Sequence, residues 1–232
     1  MKNPSDRELS RRQLLRMGLT ATAATCLTGG LELAFPPAAR AQSKLTPDAA
    51  LAELMAGNKR YTSGRLTAPE QNLASIREHT EEKQEPFAAV LSCADSRVPI
   101  EYVFDQNIGR IFVTRVAGNV VTPEIIGSLE YGAAVLGTKV ILVMGHSHCG
   151  AVKATIQGKE VPGQISSLFP HIQQAVDQAG HDLEAAAKAN ARIQAALLRQ
   201  SSTVISGMVK SGSVKVTSGY YDLGSGAVSL LE

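Results

Sequence analysis

Three short runs of nearly unbroken apolar residues constrain the fold of this chain more than any other feature: Phe87-Ala88-Ala89-Val90-Leu91-Ser92, Arg110-Ile111-Phe112-Val113-Thr114-Arg115 and Lys139-Val140-Ile141-Leu142-Val143-Met144. Each is short for a helix and lacks the polar alternation of a strand with one wet face. Each therefore reads as a strand buried on both faces, the habit of parallel sheets covered by helices. Between the second and third runs, Gly118-Asn119 makes a turn and Thr122-Pro123-Glu124 opens a helix through about Leu136. The repeated strand-helix-strand order predicts an α/β fold with a mostly parallel central β-sheet flanked by helices and right-handed crossovers. Ligands in such sheets gather beyond the carboxyl ends of the strands.

The remaining elements fit around that sheet. Thr46-Pro47-Asp48 carries a capping hydroxyl, a first-turn proline and an acid at the positive dipole end. The helix it opens presents Ala50, Leu51, Leu54 and Met55, and Gly57-Asn58 is expected to stop it. A more polar helix is expected over 72–82, and two or three helices over 163–208, where Leu183, Ala187, Ile193, Ala196, Leu197 and Ile205 recur at helical spacing. Val214-Lys215-Val216-Thr217 and Ala227-Val228-Ser229-Leu230 flank the turn-rich Asp222-Leu223-Gly224-Ser225-Gly226, predicting a C-terminal antiparallel strand or hairpin. No repeat or linker divides 42–232, which reads as a single domain.

The first 41 residues read as an address label. Ser10-Arg11-Arg12 supplies a twin arginine, Met17 to Leu33 is mostly small and apolar, and Ala39-Arg40-Ala41 ends in a small-x-small cleavage pattern. The expectation is a twin-arginine signal peptide over 1–41, removed after Ala41, with delivery to the periplasm or another extracytoplasmic space. A membrane anchor is disfavoured because Thr20, Thr22, Thr25, Thr28, Gly29, Gly30 and Glu32 interrupt a stretch that would need about 20 strongly apolar residues to span. No stable membrane insertion is expected after cleavage. Without the leader the charge balance is 17 Lys and Arg against 18 Asp and Glu. The excess of basic residues in the whole chain thus belongs to the leader, and nothing favours a nucleic acid or anionic membrane partner electrostatically.

Two of the three cysteines lie beyond the leader, each just past a predicted strand: Cys93 in Cys93-Ala94-Asp95-Ser96-Arg97 and Cys149 in His146-Ser147-His148-Cys149-Gly150. His146 and Cys149, at i and i+3, can converge on one metal from a strand-to-helix turn. Cys93 leaves what can be the adjacent strand. Two thiolates and one imidazole make a three-ligand zinc site with the fourth tetrahedral position open, the pattern of catalytic rather than structural zinc. A disulfide between the two cysteines, or plain core packing, are the alternatives from the residues alone.

Cys93-Ala94-Asp95-Ser96-Arg97-Val98-Pro99 and Gly145-His146-Ser147-His148-Cys149-Gly150-Ala151 resemble the two signatures of the β-class carbonic anhydrases. The likeness continues through Arg115-Val116-Ala117-Gly118-Asn119, Ser128-Leu129-Glu130-Tyr131 and Gly219-Tyr220-Tyr221-Asp222. The resemblance implies one Zn²⁺ per subunit on Cys93, His146 and Cys149, with Asp95 and Arg97 as a catalytic dyad beside it. In some members the aspartate closes the site as a fourth ligand, so Asp95 could do so here. It further implies a substrate pocket of Gln84, Phe112, Tyr131 and the Gly150 amide, completed across the interface of a homodimer or higher homo-oligomer, with the 46–57 helix on the partner. The implied reaction is reversible hydration of carbon dioxide to bicarbonate and a proton by hydroxide generated at zinc. The alternatives on the same site are carbonyl sulfide or carbon disulfide hydrolysis, or a catalytically silent zinc-binding module. The chain has no tryptophan, the residue that members with an allosteric bicarbonate site use there, which places it with the plant-like subgroup.

Two thiolates and a neutral imidazole cancel the charge of zinc, so the metal alone should acidify water less than an all-histidine site does. A nearby acceptor such as Asp95, held by Arg97, compensates. His148 is placed to relay a proton but reads as a surface residue, as do His79, His171 and His181.

Overall fold

The computed structural model describes residues 43–68 and 72–231; the expected leader lies outside the described residues. Helix α1 (Pro47–Thr62) begins at the Thr46 cap, whose hydroxyl accepts the Ala49 N–H. It is followed by α2 (Leu73–Thr80), β1 (Ala88–Ser92), the short α3 (Ile100–Val103), β2 (Ile111–Arg115), and α4 (Pro123–Glu130), which widens into a π-helical turn over Tyr131–Val135. Then come β3 (Val140–His146), α5 (Gly150–Gln157), α6 (Phe169–Ala179), α7 (Leu183–Ser201), α8 (Thr203–Lys210), β4 (Lys215–Tyr221) and β5 (Val228–Leu231). Among the described residues no helix is long and apolar enough to cross a membrane.

The sheet order is β2-β1-β3-β4-β5, parallel throughout except for β5, which runs antiparallel to β4 as the terminal hairpin expected from the sequence. Every residue of β1 and β3 is buried because alternate side chains enter cores on opposite faces. Ala88, Val90, Val140, Leu142 and Met144 pack with α1 and the Val98–Phe104 segment. Ala89, Leu91, Ile141 and Val143 pack with α4, α7 and α8. The chain leaves β1 toward β2 on one side and returns to β3 on the other. The carboxyl ends of β1 and β3 therefore border the crevice where the strand order reverses, the place such sheets present ligands.

Gly57-Asn58 does not end the first helix, which continues to Thr62. Both residues are buried at a crossing. A Cβ on Gly57 would lie 1.8 Å from the Phe104 carbonyl oxygen, so only glycine permits this approach. Asn58 donates to the Val103 and Gly226 carbonyls at 3.1 and 2.9 Å, and its own oxygen accepts the Val228 N–H at 2.9 Å. Residues that locally signal a stop are here used for contacts far away in sequence. The same helix buries Ala50 and Leu54 in the core of its own subunit.

Asp105 anchors the segment after α1. Its carboxylate, inaccessible to solvent, accepts from Arg60 Nε at 2.5 Å, from the Thr67 amide and hydroxyl at 2.9 and 2.8 Å, and from the Ala68 amide at 2.8 Å. Burial by itself would raise its pKa, but the Arg60 ion pair and the Ala68 and Thr67 donors outweigh it and hold the carboxyl below its ordinary value. A carboxyl with a lowered folded-state pKa contributes stability that is full above its unfolded value, about 3.9, and is lost as pH falls through the folded value. Asp105→Asn should cost about 2–3 kcal/mol at pH 7, the scale of charge-assisted hydrogen bonds. Urea unfolding at pH 7 and again near pH 3 should show that difference shrinking with acid; an equal gap at both would exclude the ionised carboxylate as its source.

Candidate active site

Cys93 directly follows β1, and His146 is the last residue of β3, its neighbour in the sheet. Cys149 caps α5 after a turn in which His148 takes a left-handed conformation with φ of 55°. Parallel pairing of β1 with β3 thus brings three separated donors to one end of the sheet. The two Sγ atoms and a His146 ring nitrogen all lie within 4.8 Å of one another, with Cys93 5%, His146 1% and Cys149 1% exposed. The two cysteines are free thiols rather than a disulfide.

The donor set fits a divalent metal. His146 Nδ1 lies 2.9 Å from the Ser147 carbonyl, which makes Nδ1 the protonated nitrogen and leaves Nε2 with its lone pair. Nε2 is buried and has no hydrogen-bond partner, an arrangement that leaves a polar atom unsatisfied unless a metal fills the gap. The Ser147 loop is fixed by β4: the Ser147 amide donates to the Tyr221 carbonyl at 2.9 Å, and its hydroxyl accepts the Leu223 N–H at 2.8 Å. Cys93 is held below the usual thiol range, chiefly by the neighbouring Cys149 sulfur and further by the nearby His146 ring and the Gly118 amide, against the effect of burial. Cys149 is pushed upward by Cys93 and by its own burial. Two thiols this close and this buried share protons badly, and a divalent cation relieves the conflict.

Asp95 lies two residues past Cys93, close enough to His146 to feel its charge, and is paired with Arg97. Arg97 Nε and Nη2 form a fork on Asp95 Oδ1 and Oδ2 at 2.9 and 2.8 Å, and the Arg97 amide adds a third bond to Oδ1 at 2.9 Å. The guanidinium, opposed in part by burial, drives the Asp95 carboxyl far below the usual carboxylate range, so it is ionised at any physiological pH. Oδ1 takes two of these bonds and Oδ2 one, which leaves an acceptor position on Oδ2. Arg115, at the end of β2, clamps this loop from below. Its Nε donates to the Cys93 carbonyl at 3.0 Å, and its Nη2 makes a short bond to the Asp95 carbonyl.

The four pocket residues are divided. Gly150 is the exposed first residue of α5, next to Cys149. Phe112 and Tyr131 pack ring to ring at 6.2 Å, with Tyr131 48% exposed. Gln84 is exposed and shares with Tyr131, Leu136 and Ile108 a groove of about 540 Å³ that the triad does not line. Within one subunit, then, metal site and aromatic pair are separate features. His79, His148, His171 and His181 are all exposed.

The carbonic anhydrase family matches residues 88–228, a span that holds the triad, the dyad and the sheet. Carbonic anhydrase 2 of Mycobacterium tuberculosis is 32% identical over 192 residues, covering 79% of this chain and 92% of the relative. The chain belongs to the β-class carbonic anhydrases. A carbonic anhydrase of Mycolicibacterium smegmatis is 42% identical over 123 residues, 53% of this chain and 59% of the relative. Among solved structures, one of two tetrameric β-carbonic anhydrases from Sordaria macrospora superposes with a TM-score of 0.64 at 19% identity, covering 78% of this chain and 96% of that one. β-Carbonic anhydrases use zinc, and the Cys93, His146 and Cys149 cluster is positioned as a metal site for it.

Several residues that shape the enzyme's site were not read as functional from the sequence. Asn190 and Gln194 form part of the support of the 117–121 turn, whose Gly118 amide donates to Cys93 Sγ at 3.3 Å. Their signal was present: they interrupt, at i and i+4, a face of α7 otherwise made of Ala186, Ala187, Ala191, Ala195 and Leu198.

Proposed function

We propose that the enzyme hydrates carbon dioxide reversibly, with Cys93, His146 and Cys149 as the zinc ligands and Asp95 with Arg97 as the catalytic dyad. The observation that carries this reading is the buried, unpartnered His146 Nε2 facing two thiols, beside a carboxylate gripped on both oxygens by an arginine. Held by Cys93, His146 and Cys149, zinc would supply the Lewis acidity that makes water a nucleophile at neutral pH. Asp95 Oδ2 has the acceptor position to take the hydrogen of that nucleophile, aiming its remaining lone pair at the carbon of carbon dioxide. Arg97 keeps Asp95 occupied and turned to this duty, so that it accepts a hydrogen rather than closing the site as a fourth ligand. The Gly150 amide, in the first turn of α5, is a donor suited to the oxygen on which bicarbonate charge develops.

The engaged dyad and the absence of tryptophan support a plant-like, open-site enzyme. The exposed apolar side chains Ile108, Tyr131 and Val135 support a homo-oligomer in which Gln84, Phe112 and Tyr131 complete a neighbour's pocket. The twin arginine and the small-x-small site support export out of the cytoplasm. Metal analysis joined to stopped-flow carbon dioxide hydration tests the function. One zinc per chain is expected, with activity lost to a chelator and regained with Zn²⁺. Faster sulfide release from carbonyl sulfide or carbon disulfide than bicarbonate formation would overturn the substrate assignment.

A further inference from the structure

The turn that donates to Cys93 is not self-supporting. Gly118 and Asn119 are consecutive left-handed residues, with φ of 75° and 45°, and a Cβ on Gly118 would come within 2.7 Å of Ile172 Cδ1. The support comes from α7. Asn190, wholly buried, donates from Nδ2 to the Gly118 carbonyl at 2.8 Å. Gln194, one helical turn further on, donates from Nε2 to Asn190 Oδ1 at 3.2 Å and to the His171 carbonyl at 2.9 Å, while its Oε1 accepts the Val121 amide at 2.8 Å. Gln194 therefore fixes which way round the Asn190 amide sits. Asn190 fixes the carbonyl of Gly118, and with that carbonyl held and Cα in its left-handed well, the Gly118 N–H points at Cys93 Sγ. A helix face that had only to pack would be served by apolar side chains, whereas two buried amides incur desolvation that their hydrogen bonds must offset.

We propose that Asn190, oriented by Gln194, is a positioning residue of the metal centre: by anchoring Gly118 it aims an N–H at the Cys93 sulfur and so sets how strongly that sulfur donates to zinc. A hydrogen bond to a thiolate withdraws electron density from it. In a site whose two thiolates cancel the metal's charge, that withdrawal keeps zinc electrophilic. The inference rests on Cys93 being a zinc ligand.

The test uses the full enzyme loaded with cobalt(II) in place of zinc, whose thiolate-to-metal charge-transfer band reports sulfur donation directly. Asn190→Leu removes the donor, and Asn190→Asp keeps the volume but sets a lone pair against the Gly118 carbonyl. Both should move the band to longer wavelength, and kcat/KM of the zinc forms should fall about tenfold, the lower end for a group one step removed from a ligand. Ser202→Ala, which removes the buried hydroxyl capping α8 away from the site, is the control for general destabilisation and should leave the band in place. A folded Asn190→Leu protein with an unmoved band and unchanged kcat/KM would overturn the proposal and leave Asn190 a packing residue. Should that variant not fold, the same two readings on Asn190→Asp decide. If unsubstituted cobalt enzyme shows no thiolate band, the ligand assignment of Cys93 itself fails, which is a separate result.

Discussion

Asp95→Ala should retain one zinc per chain and lose about 10²–10³-fold in kcat/KM, the range for a group that orients a ligand or handles a proton in the reaction. The reason lies in the division of bonds. Arg97 occupies both carboxylate oxygens but leaves one acceptor position on Oδ2, so the carboxylate remains free to hold the nucleophile's hydrogen while staying fixed itself. Removing Asp95 takes away the acceptor and touches none of the three metal donors. Arg97→Ala should be similarly damaging for a different reason: it releases an ionised carboxylate beside a cation. The two losses should not multiply. If Arg97 works through Asp95, the double variant should be no slower than Asp95→Ala alone, because in that background the arginine has nothing left to hold. Stopped-flow kinetics on the three variants, with zinc content measured on each, form the cycle. Multiplying losses would give Arg97 an independent part in the reaction; unchanged turnover in Asp95→Ala would remove the dyad from it.

What the sequence disclosed and what it hid follow a single physical division. The strands were legible because burial on both faces leaves a continuous apolar run, and the observed β1, β2 and β3 differ from the expected ones by a residue or two at their ends. The triad was legible because its ligands stand at strand exits, where a parallel sheet collects them. Gly57-Asn58 misled because a local rule for helix ends met a tertiary demand. Glycine was needed for the approach of Phe104, and asparagine for carbonyls and an amide 45 to 170 residues away. Asp105, Arg115, Asn190 and Gln194 belong to the same class. Each uses a polar side chain to tie down backbone distant in sequence, and which backbone it meets is decided only once the sheet order is known. The division of Gln84, Phe112 and Tyr131 from the metal donors within one subunit was likewise invisible without the fold.

Cys149→Ser should abolish zinc binding and lower kcat/KM by at least about 10³-fold, since without the metal nothing acidifies water toward neutrality. The variant is informative because it separates metal loss from unfolding. Cys149 occupies the N-cap of α5, where the side chain makes no capping hydrogen bond, although the Ala151 and Val152 amides face it. Serine is among the preferred N-cap residues, and an oxygen at this position accepts those amides better than a protonated thiol, a gain of about 1 kcal/mol. It also removes the buried conflict between two adjacent sulfurs. The metal-free variant should therefore melt at or above the temperature of the metal-free wild type, while the wild type alone gains stability when zinc is added. At free zinc a hundredfold above its dissociation constant, that gain should be about 2.7 kcal/mol. Thermal unfolding of both proteins with and without zinc, together with metal content after dialysis, gives the comparison. A variant that still binds one zinc tightly and still responds thermally to it would exclude Cys149 as a ligand; a variant that melts far below the metal-free wild type would show that the cysteine chiefly packs the start of α5 against Ile172 of α6 rather than serving the metal.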